Sequence, residues 1–148
     1  MNLTNEQIAV SLLLLRVILG VIFFAHGSQK VMGWFGGYGM TGTVGAFKNY
    51  MHIPAPLAYL ASFTEFFGGI FMIFGLLTRL TALGLLISMI VAIFKVHLKA
   101  GFFMSTEPGK SNGFEYNLSL AVVSLVLLLT GAGPVSLDSL LRFSKYQK

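Results

Sequence analysis

Two ionisable residues stand inside runs otherwise built from leucine, isoleucine, valine and phenylalanine: Arg16 and Glu65. An ionisable side chain in hydrocarbon is costly and marks a candidate functional position by default. Arg16 lies near the middle of an apolar run over 8–26, and Glu65 about eight residues into a second run over 57–77. If the two runs are antiparallel helices rising ~1.5 Å per residue, both charges fall near the same depth. An Arg16–Glu65 pair is therefore expected, each charge offsetting part of the other's desolvation. A structural clamp and a functional pair look alike at this level, and both readings stand.

A second polar group gathers where the apolar runs end. His26 and Lys30 follow the first run, Lys95 and His97 close the third, and Glu115 with Asn117 opens the fourth. With Glu65 beneath them, they are expected to line a polar vestibule, roofed by a glycine- and aromatic-rich segment that carries Trp34 and Tyr38. Two cations and two histidines over two carboxylates suit a small anion, or a ligand that takes up protons with electrons, as a quinone does. On this reading Glu65, His26 and Glu115 are catalytic, with His26 and Glu115 exchanging protons and Glu65 forming the polar floor of the site with Arg16, and Arg16, Lys30, Lys95, His97, Trp34 and Tyr38 bind the ligand. Each residue also has a plainer explanation. Lysines at span ends snorkel to headgroups. A carboxylate at a helix start complements the helix dipole. Tryptophan and tyrosine anchor at the interface, and His52 in the connecting segment is expected to be solvated. Haem held between His26 and His97 ranks last, because histidines at helix ends more often meet water or headgroups. No metal is expected.

These residues need a frame, and the composition fixes what kind. The chain of 148 residues is 55% hydrophobic and 10% charged, where soluble domains carry about 25% charged residues. Lipid must therefore be the solvent for much of it. Cysteine is absent, which excludes disulfides, iron–sulfur ligation and thiol redox steps carried by this chain alone. The net charge of +5 comes from scattered residues and is no nucleic-acid signal.

The expected fold is an all-α membrane protein: a four-transmembrane-helix bundle in one domain, with helices at about 8–26, 57–77, 80–97 and 114–131. The first could pass for a signal peptide, but only Glu6 is charged before it and no small-residue cleavage site follows, so it is read as retained. Helices two and three form a tight hairpin, and Pro108-Gly109 marks a turn before helix four. The segment 27–56 is too apolar for a free loop and is expected to lie in the interface or to re-enter the bundle. A short interfacial helix at about 135–145 ends the chain, with Arg142, Lys145 and Lys148 in a basic tail. Cations fall on both sides, so their count does not fix the orientation; the tail cluster favours cytoplasmic termini in a multi-pass cell-membrane protein.

Small and polar residues recur at four–three spacing: Arg16, Gly20, Phe23, Gly27 and Lys30 in helix one, Ala58, Ser62, Glu65, Gly69 and Met72 in helix two, and Gly84, Ser88, Ala92, Lys95 and Lys99 in helix three. Each stripe is expected to face the bundle axis, where small residues allow close approach. Gly37-Tyr-Gly-Met-Thr-Gly42 matches a dinucleotide-binding pattern, but no strand precedes it and no βαβ unit exists. Gly33 and Gly37 match a helix-dimerisation pattern but lie outside the spans.

Taken in order, Leu15-Arg16 with Gly20, Phe24-Ala-His26-Gly27-Ser-Gln-Lys30 and Trp34-Phe-Gly-Gly-Tyr-Gly39 resemble the opening of the DoxX family. Glu65-Phe-Phe-Gly-Gly69, Gly75-Leu-Leu-Thr-Arg79, Gly113-Phe-Glu115-Tyr and Gly131-Ala-Gly-Pro-Val-Ser-Leu-Asp138 continue the likeness over nearly the whole chain. The resemblance implies a four-helix inner-membrane protein. Its founding member is a membrane subunit of a thiosulfate:quinone oxidoreductase, and relatives are associated with membrane oxidoreductase complexes, oxidative stress and quinone tolerance. It thus implies a membrane oxidoreductase component with a quinone as cofactor or substrate, and as partners membrane lipid, a separate redox subunit and further copies of itself. A non-catalytic scaffold, or a carrier of a small anion or weak acid, is the alternative reading of the same vestibule.

Overall fold

The computed structural model describes residues 4–105, 107 and 112–146, with side chains as far as Leu141. The expected Pro108-Gly109 turn and the side chains of the basic tail lie outside the described residues. Within them the chain is helical and contains no strand. The helices are α1 (Asn5–Val31), α2 (Gly39–Tyr50), α3 (Ala55–Phe74), α4 (Thr78–Ala92), α5 (Glu115–Thr130) and α6 (Leu137–Tyr146). Three are long and apolar enough to cross a membrane: α1, α3, and α4 with its continuation to Ala100. α5 is apolar but has only 16 residues, about 24 Å of helix against a hydrocarbon core of about 30 Å.

Local chemistry fixes the ends. Thr4 and Gln7 form a reciprocal capping box that starts α1. α1 does not stop at His26 but runs one more turn to Val31. Ser28 is tolerated there because its hydroxyl donates to the Phe24 carbonyl at 2.7 Å. That added turn carries Lys30. α3 ends three residues earlier than expected, at Phe74, and is capped by Gly75, whose φ of +65° suits a residue without Cβ. α4 begins with no local cap. Asp138, about sixty residues further along the chain, supplies one: its two oxygens accept from the Leu77 and Thr78 amides at 2.8 and 2.9 Å, as an N-cap carboxylate does. At its other end α4 passes into a π-helical turn, Ile93–His97.

The segment expected to re-enter or lie in the interface is itself folded. Gly33 and Gly36, both at φ +75°, bracket a 3-10 turn over Trp34–Gly36, and α2 follows. Phe35 within that turn adopts φ +52°. α2 packs on both α1 and α3.

The most extensive packing is between α1 and α3, followed by α4 against α5. The α1–α3 contact is made through glycine. A Cβ on Gly27 would collide with the backbone of Phe66, and one on Gly69 with the backbone of Phe24. In lipid, where apolar burial drives little association between helices, such close backbone approach is what holds a pair together. The stripes on α1 and α3 are buried as expected: Arg16, Gly20, Phe23 and Gly27 on one, Ala58, Ser62, Glu65, Gly69 and Met72 on the other. The stripe on α4 is not. α4 buries Thr78, Thr81, Ala82, Leu85 and Met89 instead. Leu85 and Met89 join Leu19, Phe23, Met72 and Leu127 in the core. Gly84, Ser88 and Ala92 face a cavity. In a bilayer, leucine gains as much inside the bundle as small residues do, so the small-residue stripe did not have to be the packed one.

α6 leaves Leu137, Leu140 and Leu141 exposed. It occupies 137–146, close to the expected range.

Candidate functional site

The expected Arg16–Glu65 pair does not form. The reason is register. Gly20 packs beside Ile73, Phe24 beside Gly69 and Gly27 beside Phe66, so Glu65 is level with the last turns of α1. Arg16 lies eleven residues below Gly27, or about 16 Å along the helix. It meets the α3–α4 turn instead. Its Nη2 donates to the Val135 carbonyl at 2.5 Å, Asp138 is the carboxylate facing it, and Nε and Nη1 have no protein partner. Gly75 is required beside it, since a Cβ there would overlap the guanidinium. Arg16, only 2% exposed, therefore clamps the α3–α4 turn to the segment after α5 and lies outside the cavity described next.

Glu65 pairs with Lys30. The ammonium lies 2.5 Å from both carboxylate oxygens. Glu65 is the eleventh of the twenty residues of α3, halfway along a membrane-spanning helix. Its side chain is 4% exposed and that of Lys30 28%. Two of the three N–H donors of Lys30 serve Glu65, leaving one for another acceptor. The Phe47 ring of α2 lies 6.0 Å from Nζ, and the Thr43 hydroxyl, also from α2, donates to the Lys30 carbonyl at 3.3 Å. α2 thus holds the last turn of α1 that presents the lysine.

This pair opens on a cavity of about 1040 Å³ between α1, α3, α4 and α5, whose walls are mostly apolar. Phe47 and Met51 border it from α2 and its end. His26, Lys95 and His97 line it with Lys30 and Glu65, so five of the sequence-predicted site residues share one space. The π-helical turn carries both Lys95 and His97; such turns recur at functional positions. His97 is tied down: a carbonyl can only accept, so Nδ1 carries the proton of its 2.7 Å bond to Asn112 O, and Nε2 remains an acceptor. His26 has a ring neighbour in Tyr116, 6.3 Å between centroids.

The other expected residues are elsewhere. The Glu115 carboxylate accepts from the Met104 amide at 2.7 Å and fastens the α4–α5 connection to the start of α5. Trp34 and Tyr38 are 50% and 86% exposed and do not line the cavity. Asn117 lines the cavity as expected, and two residues without a role in the sequence reading line it too: Tyr116 and His52. Asn117 donates to the sulfur of Met89 at 3.6 Å. Tyr116 follows Glu115 directly, and the helical rotation of 100° per residue decides which of the two faces inward. His52 adopts φ +54°, a backbone state that its sequence context does not announce. Among the described residues no three histidine, aspartate or glutamate side chains converge as a metal site.

The arrangement combines three chemical features. It offers an N–H donor in the last turn of α1, a carboxylate beside it halfway along α3, and imidazoles nearer the loop-side end. All three open on an apolar space.

Comparison with known proteins places the chain. The DoxX family matches residues 11–98. The chain is 37% identical over 134 residues, 90% of its own length and 89% of the relative's, to a Bacillus subtilis protein named "Putative oxidoreductase CatD". It is 30% identical to the inner membrane protein YqjF of Escherichia coli, over 89% and 92% of the two chains. A membrane protein of Mycobacterium tuberculosis is 33% identical over 86% and 79%. No solved structure gives a significant match. Matched over more than half its length by the family and nearly end to end by these relatives, with three helices fit to span a bilayer, the chain is a membrane protein and belongs to the DoxX family.

Proposed function

We propose that this protein is the membrane component of an oxidoreductase and takes a quinone-like ligand into the cavity beside Lys30 and Glu65. The observation that carries this reading is a largely buried ion pair between the last turn of α1 and the middle of α3, opening on about 1040 Å³ of mostly apolar space. A quinone ring is apolar on its faces and accepts hydrogen bonds at its two oxygens. The free N–H of Lys30 donates to one oxygen. Reduction of a quinone to a quinol consumes two electrons and two protons. The Lys30 ammonium and His26 pass one proton each to the oxygens as charge builds on them, Glu65 stabilises the lysine and relays its replacement proton, and His97 lies further towards the loop side. The electrons come from a separate redox subunit, in line with a chain that has no cysteine. The relative named as an oxidoreductase supports the same class. α5 acts as the fourth span, and α2 closes the cavity at membrane depth as a re-entrant helix.

A carrier for a small anion fits less well, because Glu65 already neutralises Lys30 in the cavity. The test is direct. Protein purified from its native membrane in mild detergent is extracted, and the bound small molecules are identified by mass spectrometry. A quinone in stoichiometric amount is expected. Protein that carries none, and that binds no added quinone saturably, overturns the reading.

A further inference from the structure

Around the Lys30–Glu65 pair, groups that can carry a proton lie on one side and a dry layer on the other. Towards the loop side, His26 on α1, Tyr116 on α5, Lys95 and His97 on the π-helical turn and His52 before α3 line the same space as the pair. The opposite end of the bundle carries the start of α1, the α3–α4 turn and α6. Towards it, the lining inside the bundle stops at Phe23 and Leu120. Leu19, Met72, Leu85 and Leu127 lie beyond, each no more than 1% exposed and none of them lining the cavity. Ser124, fully buried among them, donates to the Leu120 carbonyl of its own helix at 2.8 Å. Thr81 turns its methyl towards Gly68. The next ionisable group along α1 is Arg16, about 10 Å past Phe23, and a guanidinium does not give up its proton. On the outer face, the groove between α3 and α4 that reaches Leu80 is pinched where Thr64 meets Gly84.

We infer that the Lys30–Glu65 pair exchanges protons with the loop side alone, and that the layer of Leu19, Phe23, Met72, Leu85 and Leu127 seals it from the side of the termini. A proton moves between groups within hydrogen-bond reach, about 3 Å, or through one water between them. On the loop side such groups are at hand, and Lys30 itself reaches solvent at 28% exposure. Across the layer the step would be about 10 Å through packed hydrocarbon, with no hydroxyl turned into it to hold a water. Arg16 stands at the far edge, hydrogen-bonded away from the cavity to the Val135 carbonyl. It is a fixed cation there, and such a cation opposes the entry of a proton into a narrow passage. Ligand binding alone requires neither this floor nor this arginine. For the function proposed above, on which this consequence rests, both protons taken up with the electrons come from the loop side, whichever side the electrons enter from.

The absence of cysteine makes a clean test possible. Ser88→Cys places a single thiol in the cavity of the full-length chain. The thiolate is the reactive form, so the rate of labelling by membrane-permeant N-ethylmaleimide follows the pH that the cavity senses. The protein is reconstituted in one orientation in sealed proteoliposomes, checked with an impermeant thiol reagent on Asn5→Cys, and the pH is set separately on each side. Raising the loop-side pH from about 6.5 to about 8.5 is expected to speed labelling more than about tenfold, and the same change on the side of the termini less than about twofold. Asn117→Cys reads the cavity from α5 where Ser88→Cys does not fold. A response to the pH on the side of the termini that equals or exceeds the loop-side response overturns the inference, as does labelling that follows neither. Leu19→Asn with Met72→Gln, added to Ser88→Cys, puts hydrogen-bonding groups into the layer and is expected to raise the response to the pH on the side of the termini to at least about fivefold. If that variant keeps its loop-side response and stays insensitive from the other side, the assignment of the seal to this layer is overturned. No quinone enters the measurement. Failure here leaves the proposed function standing, and a protein that binds no quinone leaves the one-sided exchange standing.

Discussion

Replacing Lys30 and Glu65 together by apolar residues of similar size, as in Lys30→Met with Glu65→Leu, is expected to leave the protein folded and to abolish quinone binding. The double substitution separates two roles that either single substitution confuses. A buried ion pair costs both partners their hydration, and its Coulomb energy repays that only in part, so a well-packed apolar pair is often neutral or more stable. Removing Glu65 alone strands a lysine that is about three-quarters buried, and removing Lys30 alone strands a carboxylate in mid-span. Loss of function in a single variant would therefore be indistinguishable from damage to the fold. With both charges gone, a purely structural clamp between α1 and α3 loses little, because the glycine contacts at Gly27 and Gly69 remain. A binding site loses its donor and its proton carrier together. The measurements are thermal unfolding in detergent and quinone titration in nanodiscs. Unchanged quinone affinity in the double variant assigns the pair a structural role only.

The largest effect on stability is expected from Gly69→Val. The added carbons point at the Phe24 backbone and the Gly20 carbonyl, which cannot rotate away as a side-chain tip could. α1 and α3 must separate, and the loss spreads along the interface they share. Overpacking a well-fitted interior typically costs about 1–3 kcal/mol and occasionally more; a collision with backbone belongs at the upper end. The separation also pulls Lys30 from Glu65, so the variant should lose its ligand as well as its thermal stability. Substitution of the same size at Gly45, where a Cβ meets nothing within 4 Å, is the control and should leave the unfolding temperature nearly unchanged. Gly69→Val protein that unfolds at the wild-type temperature would show that the close packing of α1 on α3 is not what holds the bundle.

The helices, and the faces that α1 and α3 bury, were legible because hydrocarbon enforces simple rules: long apolar runs, and small residues where backbones touch. Part of the membership of the polar space was legible for the same reason. His26, Lys30, Glu65, Lys95 and His97 are each out of place in lipid unless they share a cavity, and they share one. The partner of each charge was not legible. That depends on how far α3 slides along α1, and the slide is set by a few glycine contacts whose depth no apolar run reveals. Reading α1 as ending at His26 moved its frame upward and brought Arg16 opposite Glu65. The extra turn to Val31 rests on Ser28 bonding within its own helix, which makes a polar-looking stretch comfortable as helix. Asp138 escaped notice because its work lies about sixty residues away in sequence. Tyr116 takes the place expected of Glu115 because one step along a helix turns the side chain by 100°, and the start of α5 is fixed by the connection to Met104 rather than by any pattern within the helix.

Light-activated cross-linking with an azido-substituted quinone, followed by mass-spectrometric mapping of the modified residues, tests the proposed site most directly. Labels are expected on the cavity faces of α3 and α4 and on the His26–Lys30 turn of α1, and an excess of unlabelled quinone should suppress them. Labelling confined to α6 and the outer faces of the helices, or unaffected by competitor, would contradict a quinone site beside Lys30 and Glu65.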